Sequence, residues 1–580
     1  MDGSMNALPP SGRAPRTGWL ALFAAAALLA AATLWAYAPA LDNAFVWDDG
    51  ANLIAARAHW DRGAQGIAWA FTTPFFGHYQ PLTWMSYQLD ALLSGATPRG
   101  VHATNLALHL LASGLVGALA WWFVRRRLEP LDERGRFALG ATASLVGAAL
   151  FALHPIHVET VAWATERRDL LSTVLVLAAV LLHLVTSPRD DSPSRYRGVV
   201  ALLHALAALA RAQMSLPFVL LALDVWPLGR AARTSGSGRP WRRLVTEKSL
   251  SFAVAAASGA AALWAQASSG ALTSASEHGV FDRLVQTGYG LAFYPAALLY
   301  RPWWLPLHER PSPFEPFASA YLLPALATVA AIALLWGLRW RLPALATAAA
   351  IYILLVLPVA GIAQSGIQLV AERYAYLSTI PFLILAACGI APLLLASARP
   401  VARAALALAL VGALAVAAVA THRQTRVWRD DETLWRHVLA HSESCLADNN
   451  LGQILLTRGE AGPALTHLVR SLEQVPTYSR PWRAIVAILE APWPAAAPAK
   501  KRVATTLERA ALRSPGSTLT TYASALAWLR AGELERARAK LRRVLALEPG
   551  HDGARLALAR LESAAVGGAT VSEPTAPARP

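Results

Sequence analysis

Residues 18–49 read GWLALFAAAALLAAATLWAYAPALDNAFVWDD, and this stretch decides how the rest of the chain is organised. The apolar run over residues 18–40 is long enough to cross a bilayer as one α-helix, because a helix rises about 1.5 Å per residue. Two adjacent carboxylates, Asp48 and Asp49, follow it closely. Acidic side chains at the end of a membrane crossing rarely serve packing, so we expect a functional site where this first helix ends.

The loop that follows, residues 41–101, is crowded with aromatic side chains. Such side chains concentrate at membrane–water interfaces, so the loop is predicted to lie there and to roof the site. The aromatic residues that carry this pattern are Phe45, Trp47, Trp60, Trp69, Phe71, Phe75, Phe76, Tyr79 and Trp84.

The composition identifies a polytopic membrane protein. With 580 residues, 55% hydrophobic and only 15% charged, the chain has too little polar surface to coat a soluble globule of its size. The net charge of +16 does not indicate a nucleic-acid partner, because the Lys and Arg residues fall mainly in short loops and follow the positive-inside rule. The two cysteines make a disulfide framework improbable, and the first helix is predicted to be retained, not cleaved.

Hydropathy predicts about eleven transmembrane helices in a domain over residues 18–420, preceded by a cytoplasmic tail over residues 1–17. The predicted spans are 18–40, 102–124, 138–153, 170–187, 198–212, 214–229, 249–267, 318–338, 343–360, 376–397 and 402–420. Residues 284–300 are also apolar, but a crossing there would put Arg339 and Arg341 on the wrong side. We therefore expect a re-entrant or interfacial segment; the alternative is twelve crossings with the C-terminal part inside.

The C-terminal part contains a repeat. After a helical linker over residues 421–445, residues 446–562 show the small, small, bulky and proline spacing of 34-residue tetratricopeptide units. The pattern is carried by Gly452, Ala464, Leu468, Ser471 and Pro476, and again by Ala537, Leu541 and the pair Pro515 and Pro549. An Ala/Leu/Arg-rich bundle of helical hairpins is the alternative. Residues 563–580 are rich in Pro, Ala, Thr and Ser and are predicted to be disordered.

Titratable residues gather at the predicted outer ends of the helices. Arg167 and Arg168 oppose the positive-inside rule there, as does Arg373 beside Glu372, and a lipid phosphate would explain such arginines. Structural ion pairs at helix ends are an equally good explanation for each pair taken alone. The i, i+3 histidines His154 and His157 fit capping or hydrogen bonding better than metal binding, because a proline lies between them.

Several motifs together resemble a known family. They are FVWDD, GHYQPLTWMSYQLDALLSGATPRGVHATNLALH, LFALHPIHVETVAWATERRDLLS, LPFVLLALDVWPLGR and LPVAGIAQSGIQLVAERYAYL, followed by RDDETLWRHVL and the repeats. In this order they resemble the transmembrane-and-tetratricopeptide-repeat O-mannosyltransferases and their bacterial relatives, which are GT-C glycosyltransferases. The resemblance runs over about residues 18–440. It implies an all-α, GT-C-type membrane helix bundle with a C-terminal α-helical repeat domain.

The resemblance also implies an activity: inverting transfer of a sugar, commonly mannose, from a polyprenyl-phosphate donor to a protein hydroxyl on the outer face. It places the catalytic base on Asp48 or Asp49, with Asp48 slightly preferred, since an acceptor hydroxyl must lose its proton to a carboxylate. The donor phosphate would be held by Arg167, Arg168, Arg373 and Arg211, or by a divalent cation, Mg²⁺ or Mn²⁺, on the aspartate pair. The expected orienting residues are His78, Tyr79, Gln80, His102, His154, His157, Glu159, Asp169, Glu372 and Tyr376.

The expected partners are therefore a polyprenyl-phosphate sugar, a protein acceptor held by the repeats, and membrane lipid. The Ala/Arg-rich composition and the lack of an N-glycosylation sequon favour a bacterial inner membrane, with the repeats on the periplasmic side. Two non-enzymatic alternatives are a membrane-anchored repeat scaffold and a flippase for lipid-linked sugars. A flippase would need ionisable groups at mid-membrane depth, where His109, His183 and His204 are the visible ones.

Overall fold

A computed structural model describes residues 16–95, 97–126, 132–188, 194–232, 240–270, 278–301, 303–362, 366–396, 400–491 and 497–567. The described chain is almost entirely helical and divides into two compact units, Met1–Asp430 and Asp431–Pro580. The predicted all-α class is confirmed. Most of residues 1–17 and of the predicted disordered tail lie outside the described residues.

The first unit holds seventeen α-helices among the described residues, joined in places by short 3₁₀ turns. Their bounds are α1 Arg16–Tyr37, α2 Ala64–Thr72, α3 Pro81–Ser94, α4 Pro98–Arg125, α5 Glu133–Ala152, α6 Val158–Ala162, α7 Arg167–Thr186, α8 Arg197–Ala210, α9 Leu216–Val225, α10 Pro240–Glu247, α11 Ser249–Ser269, α12 Val280–Leu299, α13 Ser319–Leu338, α14 Pro343–Val356, α15 Ala375–Ser378, α16 Ile380–Ala396 and α17 Pro400–Thr425. Two short strands, β1 His308–Glu309 and β2 Gln368–Val370, pair antiparallel.

A helix is found for each of the eleven predicted spans. In the described chain, seven helices are long and apolar enough to cross a membrane, or eight if the bent pair Glu372–Ser378 and Ile380–Leu395 counts as one span. The other three, α8, α9 and α14, are apolar but have only 14, 10 and 14 residues. The unit is thus a polytopic membrane helix bundle in which three of the expected spans are shorter than a full crossing.

Residues 284–300, the segment that resisted a topology, belong to the continuous helix α12. Near its beginning, Arg283 Nη1 donates to Ile362 O (2.8 Å), and near its end the His154 ring lies 3.1 Å from Leu298 O. Ile362 follows α14 and His154 follows α5, so α12 touches loops at one and the same end of the bundle. A 20-residue helix is about 30 Å long, and this placement is the one expected of an interfacial segment. The side of the membrane stays a prediction.

We call the end of the bundle at which Ile362 and His154 lie the site end. Its loops are built from short, capped helices. The α4 helix begins with Pro98 after Thr97, whose hydroxyl accepts from Gly100 N (3.2 Å). Between α5 and α7 the chain does not continue as a helix, because Pro155 and the extended Trp163 interrupt it. These breaks place polar residues of the α5–α7 connection inside the site end.

The opposite end of the bundle is held by a buried ionic network that the sequence did not reveal. Asp224 contacts Arg230 Nη1 (3.0 Å), His183 Nε2 (3.1 Å) and Lys248 Nζ, and Arg230 also pairs with Glu247 (2.6 Å). All five side chains are nearly inaccessible to solvent. Buried charges persist only when they are paired, so the network joins α7, α9 and α10 firmly.

The second unit is a helical repeat region. Its helices are α18 Asp431–His441, α19 Cys445–Thr457, α20 Ala461–Gln474, α21 Trp482–Glu490, α22 Ala497–Ala511, α23 Thr518–Arg530, α24 Leu534–Leu547 and α25 Asp552–Gly567. Two hairpins match closely, since Gly459 and Gly532 both turn with φ of +80°, a conformation that favours glycine. Glu460 N and Glu533 N then donate back to Leu455 O and Trp528 O in the same way. The tetratricopeptide assignment itself stays a prediction.

The first hairpin depends on a close approach at Gly452. A Cβ atom there would lie 2.8 Å from Leu468 Cγ and 3.2 Å from Ala464 O. Gly452→Val should therefore destabilise the repeat unit by roughly 1–3 kcal/mol, because the backbone of α20 would have to shift. Limited proteolysis of the full chain should show earlier cleavage in this unit.

The matched control is Gly462→Ala in α20, whose added Cβ meets nothing within 4 Å. That variant should resist the protease as well as the wild type. Equal resistance of the Gly452→Val variant would contradict the predicted close approach.

Candidate functional site

A cavity of about 760 Å³ lies at the site end of the first unit. Its walls come from the loop after α1, the turn before α3, the start of α7, the α8–α9 connection, α11, and the loop from α14 to α15. The predicted site residues among those that line it are Asp48, His78, Tyr79, Gln80, Arg168, Asp169, Arg211, Arg373 and Tyr376. Of the two aspartates and four arginines predicted from the sequence, one aspartate and three arginines therefore line a common cavity.

The two aspartates have different environments. Asp49 is fully buried: its Oδ1 accepts from Thr165 N (2.8 Å) and Thr165 Oγ1 (2.6 Å), and its Oδ2 accepts from Val46 N (2.9 Å). Burial raises the pKa of Asp49 to about 7, although these hydrogen bonds act to lower it. Asp48 is only partly buried and lines the cavity. Asp49 is thus placed to hold the loop, and Asp48 faces the space where a substrate would bind.

The arginines at the cavity belong to an alternating row of charges. Arg168 Nη2 lies 2.7 Å from Glu166 Oε1, Arg373 Nε lies 3.6 Å from the same oxygen, and Arg373 Nη1 lies 2.5 Å from Glu159 Oε1. Glu159 also accepts from the backbone N–H of Arg373 (3.0 Å). Each guanidinium is therefore held in one direction by a buried carboxylate.

Arg211 continues the row. It pairs with Asp169, and both side chains line the cavity. Burial raises the pKa of Glu159 to about 7, with the Arg373 cation acting against it. Three cations at a cavity wall, each fixed by an acid, can bind an anionic group without first having to be ordered.

Arg167 does not belong to this cavity. It is fully buried, and its guanidinium donates to Asp90 Oδ2 (2.7 Å), to Val101 O (2.8 Å) and to Asn105 Oδ1. Its guanidinium also lies 4.9 Å from the ring of Tyr87. Arg167 thus joins α3, α4 and α7, and among the predicted phosphate-binding residues it alone points away from the cavity.

The turn before α3 presents a row of predicted residues. Phe75 and His78 exchange backbone hydrogen bonds of 2.9 and 3.0 Å across a turn in which Phe76 and Gly77 both have positive φ. His78, Tyr79 and Gln80 then line the cavity. Burial lowers the pKa of His78 well below its ordinary value, and the cation of Arg168 acts in the same direction, so His78 is neutral.

Five predicted orienting residues lie outside the cavity lining, namely His102, His154, His157, Glu159 and Glu372. His154 caps the turn at Ile156, His157 Nδ1 lies 2.8 Å from Phe151 O, and His102 is buried in α4. Burial lowers the pKa of His154 to about 4 and keeps His157 neutral. His154 and His157 therefore have the capping and hydrogen-bonding roles that the intervening Pro155 indicated.

Glu372 does not orient its neighbour Arg373. Its carboxylate accepts from Leu305 N (2.9 Å) and lies 3.3 Å from His308 Nε2. It ties the start of the α15 region to the chain before β1. Glu159 and Glu166, which lie more than two hundred residues away in sequence, orient Arg373 instead.

The divalent cation expected on the aspartate pair would meet one carboxylate of that pair at the cavity, and it stays a prediction. The oxygens of Asp49 already accept three hydrogen bonds, so only one carboxylate of the pair faces the cavity. Within the part of the chain that the structure describes, no group of three or more His, Cys, Asp or Glu side chains is arranged to hold a metal ion. A stable Mg²⁺ or Mn²⁺ site needs several oxygen ligands from the protein or its substrate.

An apolar groove adjoins the cavity. It is lined by side chains of α4, α7, α9, α14, α15 and α16, among them Val180, Val219 and Ile384. Leu355 and Leu377 line both the groove and the cavity, so the two spaces are adjacent. The groove walls lie in helices expected to border lipid, which makes the combined space suitable for a molecule with a charged head and an apolar chain.

Several important residues were not among those predicted from the sequence. Thr165 holds Asp49, and Trp163 lines the cavity between Trp47 and Arg373. Gln213 and Gln368 add amide groups to the lining. None of these side chains titrates near neutral pH, so sorting by charge could not find them. The one available signal was their position near the predicted arginines, in the runs AWATERRD, ARAQMSLPF and QSGIQLVAERYAY.

Fold and cavity together define the class: a polytopic all-α membrane protein with a charged site at one end of its helix bundle. The chain is 32% identical over 209 residues to protein O-mannosyl-transferase Tmtc1 of Drosophila melanogaster. This alignment covers 33% of this chain and 22% of that protein. It is 34% identical over 114 residues to protein O-mannosyl-transferase TMTC3 of Mus musculus, covering 20% and 11%. For protein O-mannosyl-transferase TMTC1 of Homo sapiens the identity is 33% over 175 residues, covering 28% and 18%.

These matches confirm the predicted resemblance to the transmembrane-and-tetratricopeptide-repeat O-mannosyltransferases. The aligned segments span less than a quarter of each relative's length. No family model matches the chain.

The different environments of the aspartates predict a pH effect on stability. The pKa of Asp49 rises from 3.8 to about 7 on folding, so the folded protein keeps a proton that the unfolded chain loses. This contribution is fully present below pH 4 and is lost as the pH rises through 7. Between pH 4 and pH 8 the wild type should therefore lose about 4 kcal/mol more stability than Asp49→Asn.

Melting curves in detergent across this pH range would measure the effect. Glu159 has a similar shift but is present in both proteins, so the difference isolates Asp49. Asp42→Asn is the matched control, because the Asp42 side chain lies on the same loop and is 78% exposed. Parallel curves for wild type and Asp49→Asn would contradict the burial effect.

Proposed function

We propose that this protein is a membrane glycosyltransferase that transfers a sugar, mannose being the expected one, from a polyprenyl-phosphate donor to a hydroxyl of a protein acceptor. The observation that carries the proposal is the cavity itself. The carboxylate of Asp48 and three oriented arginines line a space large enough for a sugar phosphate, and an apolar groove adjoins it. The names of the similar proteins support the reaction class.

In the proposed reaction Asp48 is the general base. Its carboxylate takes the proton of the acceptor hydroxyl while the hydroxyl oxygen bonds to the anomeric carbon of the sugar. The bond from that carbon to the phosphate oxygen breaks, and its electron pair leaves with the polyprenyl phosphate. Attack from the side opposite the phosphate inverts the anomeric centre, as in other single-displacement glycosyl transfers.

Arg168, Arg211 and Arg373 are proposed to bind the leaving phosphate. Negative charge grows on the bridging oxygen as the bond breaks, and guanidinium groups fixed in advance stabilise that charge without reorganisation. Each of the three is held by an acid, namely Glu166, Asp169 and Glu159. The reaction is written without a metal ion because Asp48 is the one member of the aspartate pair that lines the cavity.

The proposal includes a location and an acceptor site. The site end is placed at the outer face of a bacterial inner membrane, since the basic loops lie at the other ends of the helices. The acceptor polypeptide is proposed to bind the repeat unit, by analogy with other helical repeats that bind peptides on a concave face.

Two alternatives are less well supported. A scaffold needs neither a cavity of this size nor a row of oriented charges. A flippase would use the histidines at membrane depth, but each is already hydrogen-bonded: His109 to Tyr376, His183 to Asp224, and His204 to Gln213 O. We therefore prefer the transferase.

Asp48→Asn should lower transfer by at least a hundredfold, because an amide cannot accept the hydroxyl proton. Hosts lacking the gene would be complemented with each variant, and hexose on Ser and Thr peptides of outer-face proteins would be measured by mass spectrometry. Asp42→Asn on the same loop is the control and should restore full modification. Undiminished transfer by Asp48→Asn at equal protein level would refute the assignment.

The groove predicts a second effect. Val180 of α7 lines it, so Val180→Trp should fill part of the groove and raise the KM for a long-chain polyprenyl-phosphate donor by about tenfold. A short, water-soluble isoprenyl analogue should be used as well as before. Val185→Trp on the same helix is the control, since Val185 is 55% exposed and outside the groove. If both donors were affected equally, the groove would not be the site of the chain.

A further inference from the structure

Trp47, the residue immediately before the proposed base, has an unusual backbone. Its φ is +56°, in the left-handed region that few residues other than glycine adopt. It lies in a turn in which Asp49 N donates to Val46 O (3.0 Å). A left-handed conformation costs a residue with a side chain roughly 1–2 kcal/mol, so other contacts must maintain it.

The ring of Trp47 supplies such a contact. It stacks on the indole of Trp163, with centroids 4.6 Å apart and ring planes 8° from parallel. Trp163 stacks in turn on Trp428, at 5.7 Å and 28°. Trp163 is 2% exposed and Trp428 is fully buried. An aromatic pair contributes about 0.5–1.5 kcal/mol beyond the area it buries, which is comparable with the strain at Trp47.

The same short segment of the α5–α7 connection fastens the turn twice. Trp163 holds the ring of Trp47, and Thr165 holds the carboxylate of Asp49 through two hydrogen bonds. Asp48 lies between these two attachments, and its carbonyl oxygen accepts from Asn52 N (2.7 Å). The backbone of Asp48 is thus fixed on both sides, which fixes the direction of its Cα–Cβ bond.

The stack also relates this turn to the arginines. The guanidinium carbon of Arg373 lies 5.5 Å from the ring centroid of Trp163, on the residue that carries Trp47. Trp47, Trp163 and Arg373 all line the cavity. One buried indole therefore contacts the support of the proposed base and a cation proposed to bind the phosphate.

We infer that Trp47 is a positioning residue: its stack on Trp163 holds the strained turn so that the Asp48 carboxylate faces the acceptor hydroxyl. The inference rests on the proposed function, because it assigns Trp47 an effect on the transfer step through Asp48. Trp47 itself exchanges no proton and forms no bond. Without the stack the turn relaxes and the carboxylate moves, and a displacement of about 1 Å can slow a reaction by about a hundredfold.

Three variants separate the ring from the backbone. Trp47→Phe keeps an aromatic ring, Trp47→Leu keeps apolar volume without stacking, and Trp47→Gly removes the ring but adopts a positive φ freely. We expect kcat of the Leu and Gly variants to fall at least tenfold with the donor KM changed less than about twofold, and Phe to stay within about threefold of wild type. Because glycine carries no strain at this φ, a low kcat in the Gly variant would show that loss of the ring itself slows the transfer.

The measurement uses the full-length protein in detergent, a polyprenyl-phosphate mannose donor and a saturating acceptor preparation from the host that lacks the gene. Melting temperatures are recorded for every variant, so that a fall in kcat is compared only among folded proteins. Trp35→Leu is the matched control, because Trp35 stacks on His422 (4.6 Å, 11°) away from the cavity. Its kcat should equal that of the wild type.

Two results would overturn the inference while leaving the transferase intact. Unchanged kcat in the Leu and Gly variants would show that the stack does not position Asp48. A raised donor KM with unchanged kcat would make Trp47 a surface that binds substrate instead. Failure of the wild type itself to transfer sugar is a different result, which would reject the proposed function and this inference with it.

Discussion

Much of the site depends on the hydrogen bonds between Asp49 and Thr165. They join residues 116 positions apart in the sequence, one in the loop after α1 and the other just before α7. Because Asp49 is fully buried, breaking them would leave one carboxylate oxygen and two donors without partners in a place that water does not reach. The next residues on each side of this link, Asp48 and Glu166, take part in the cavity and in the row of charges. The link therefore sets the distance between the proposed base and the cations.

The row of charges shows a second constraint. Buried ions are tolerated only when other charges and hydrogen bonds replace the water that they lose. The protein meets this requirement by giving Arg168, Arg211 and Arg373 one carboxylate each. An incoming phosphate thus adds a partner to guanidinium groups that are already stable. This arrangement keeps the empty cavity folded and explains why acids and arginines are interleaved in these segments.

The sequence predicted the fold well because its main signal is simple. Long apolar runs bounded by arginines define helices whatever their neighbours, and each of the eleven predicted segments contains one. Their lengths were less accessible, since α8, α9 and α14 have only 14, 10 and 14 residues and hydropathy does not record where a helix ends. Spacing alone likewise predicted a helical hairpin, through Gly452, Ala464 and Leu468, which lie in contact in the structure.

The site was predicted only at the level of neighbourhoods. Arg167 and Arg168 are adjacent and chemically identical, yet consecutive helical residues point about 100° apart, so one meets Asp90 inside the bundle and the other meets the cavity. Asp48 and Asp49 differ for a similar reason. Which member of such a pair faces a ligand depends on contacts with distant segments, and a single sequence does not contain that information. The partner of Arg373 shows the same limit, because Glu159 and Glu372 were both expected to orient residues of the site and only Glu159 contacts Arg373.

The shared walls of the groove and the cavity have a consequence for how the proposed donor is encountered. Because Leu355 and Leu377 border both spaces, the proposed lipid-linked donor would enter sideways from the bilayer, and its spent carrier would return by the same path. Collisions then occur in two dimensions. The rate follows the mole fraction of donor among the surrounding lipids, so diluting the membrane with inert lipid slows turnover even when the amount per volume is constant.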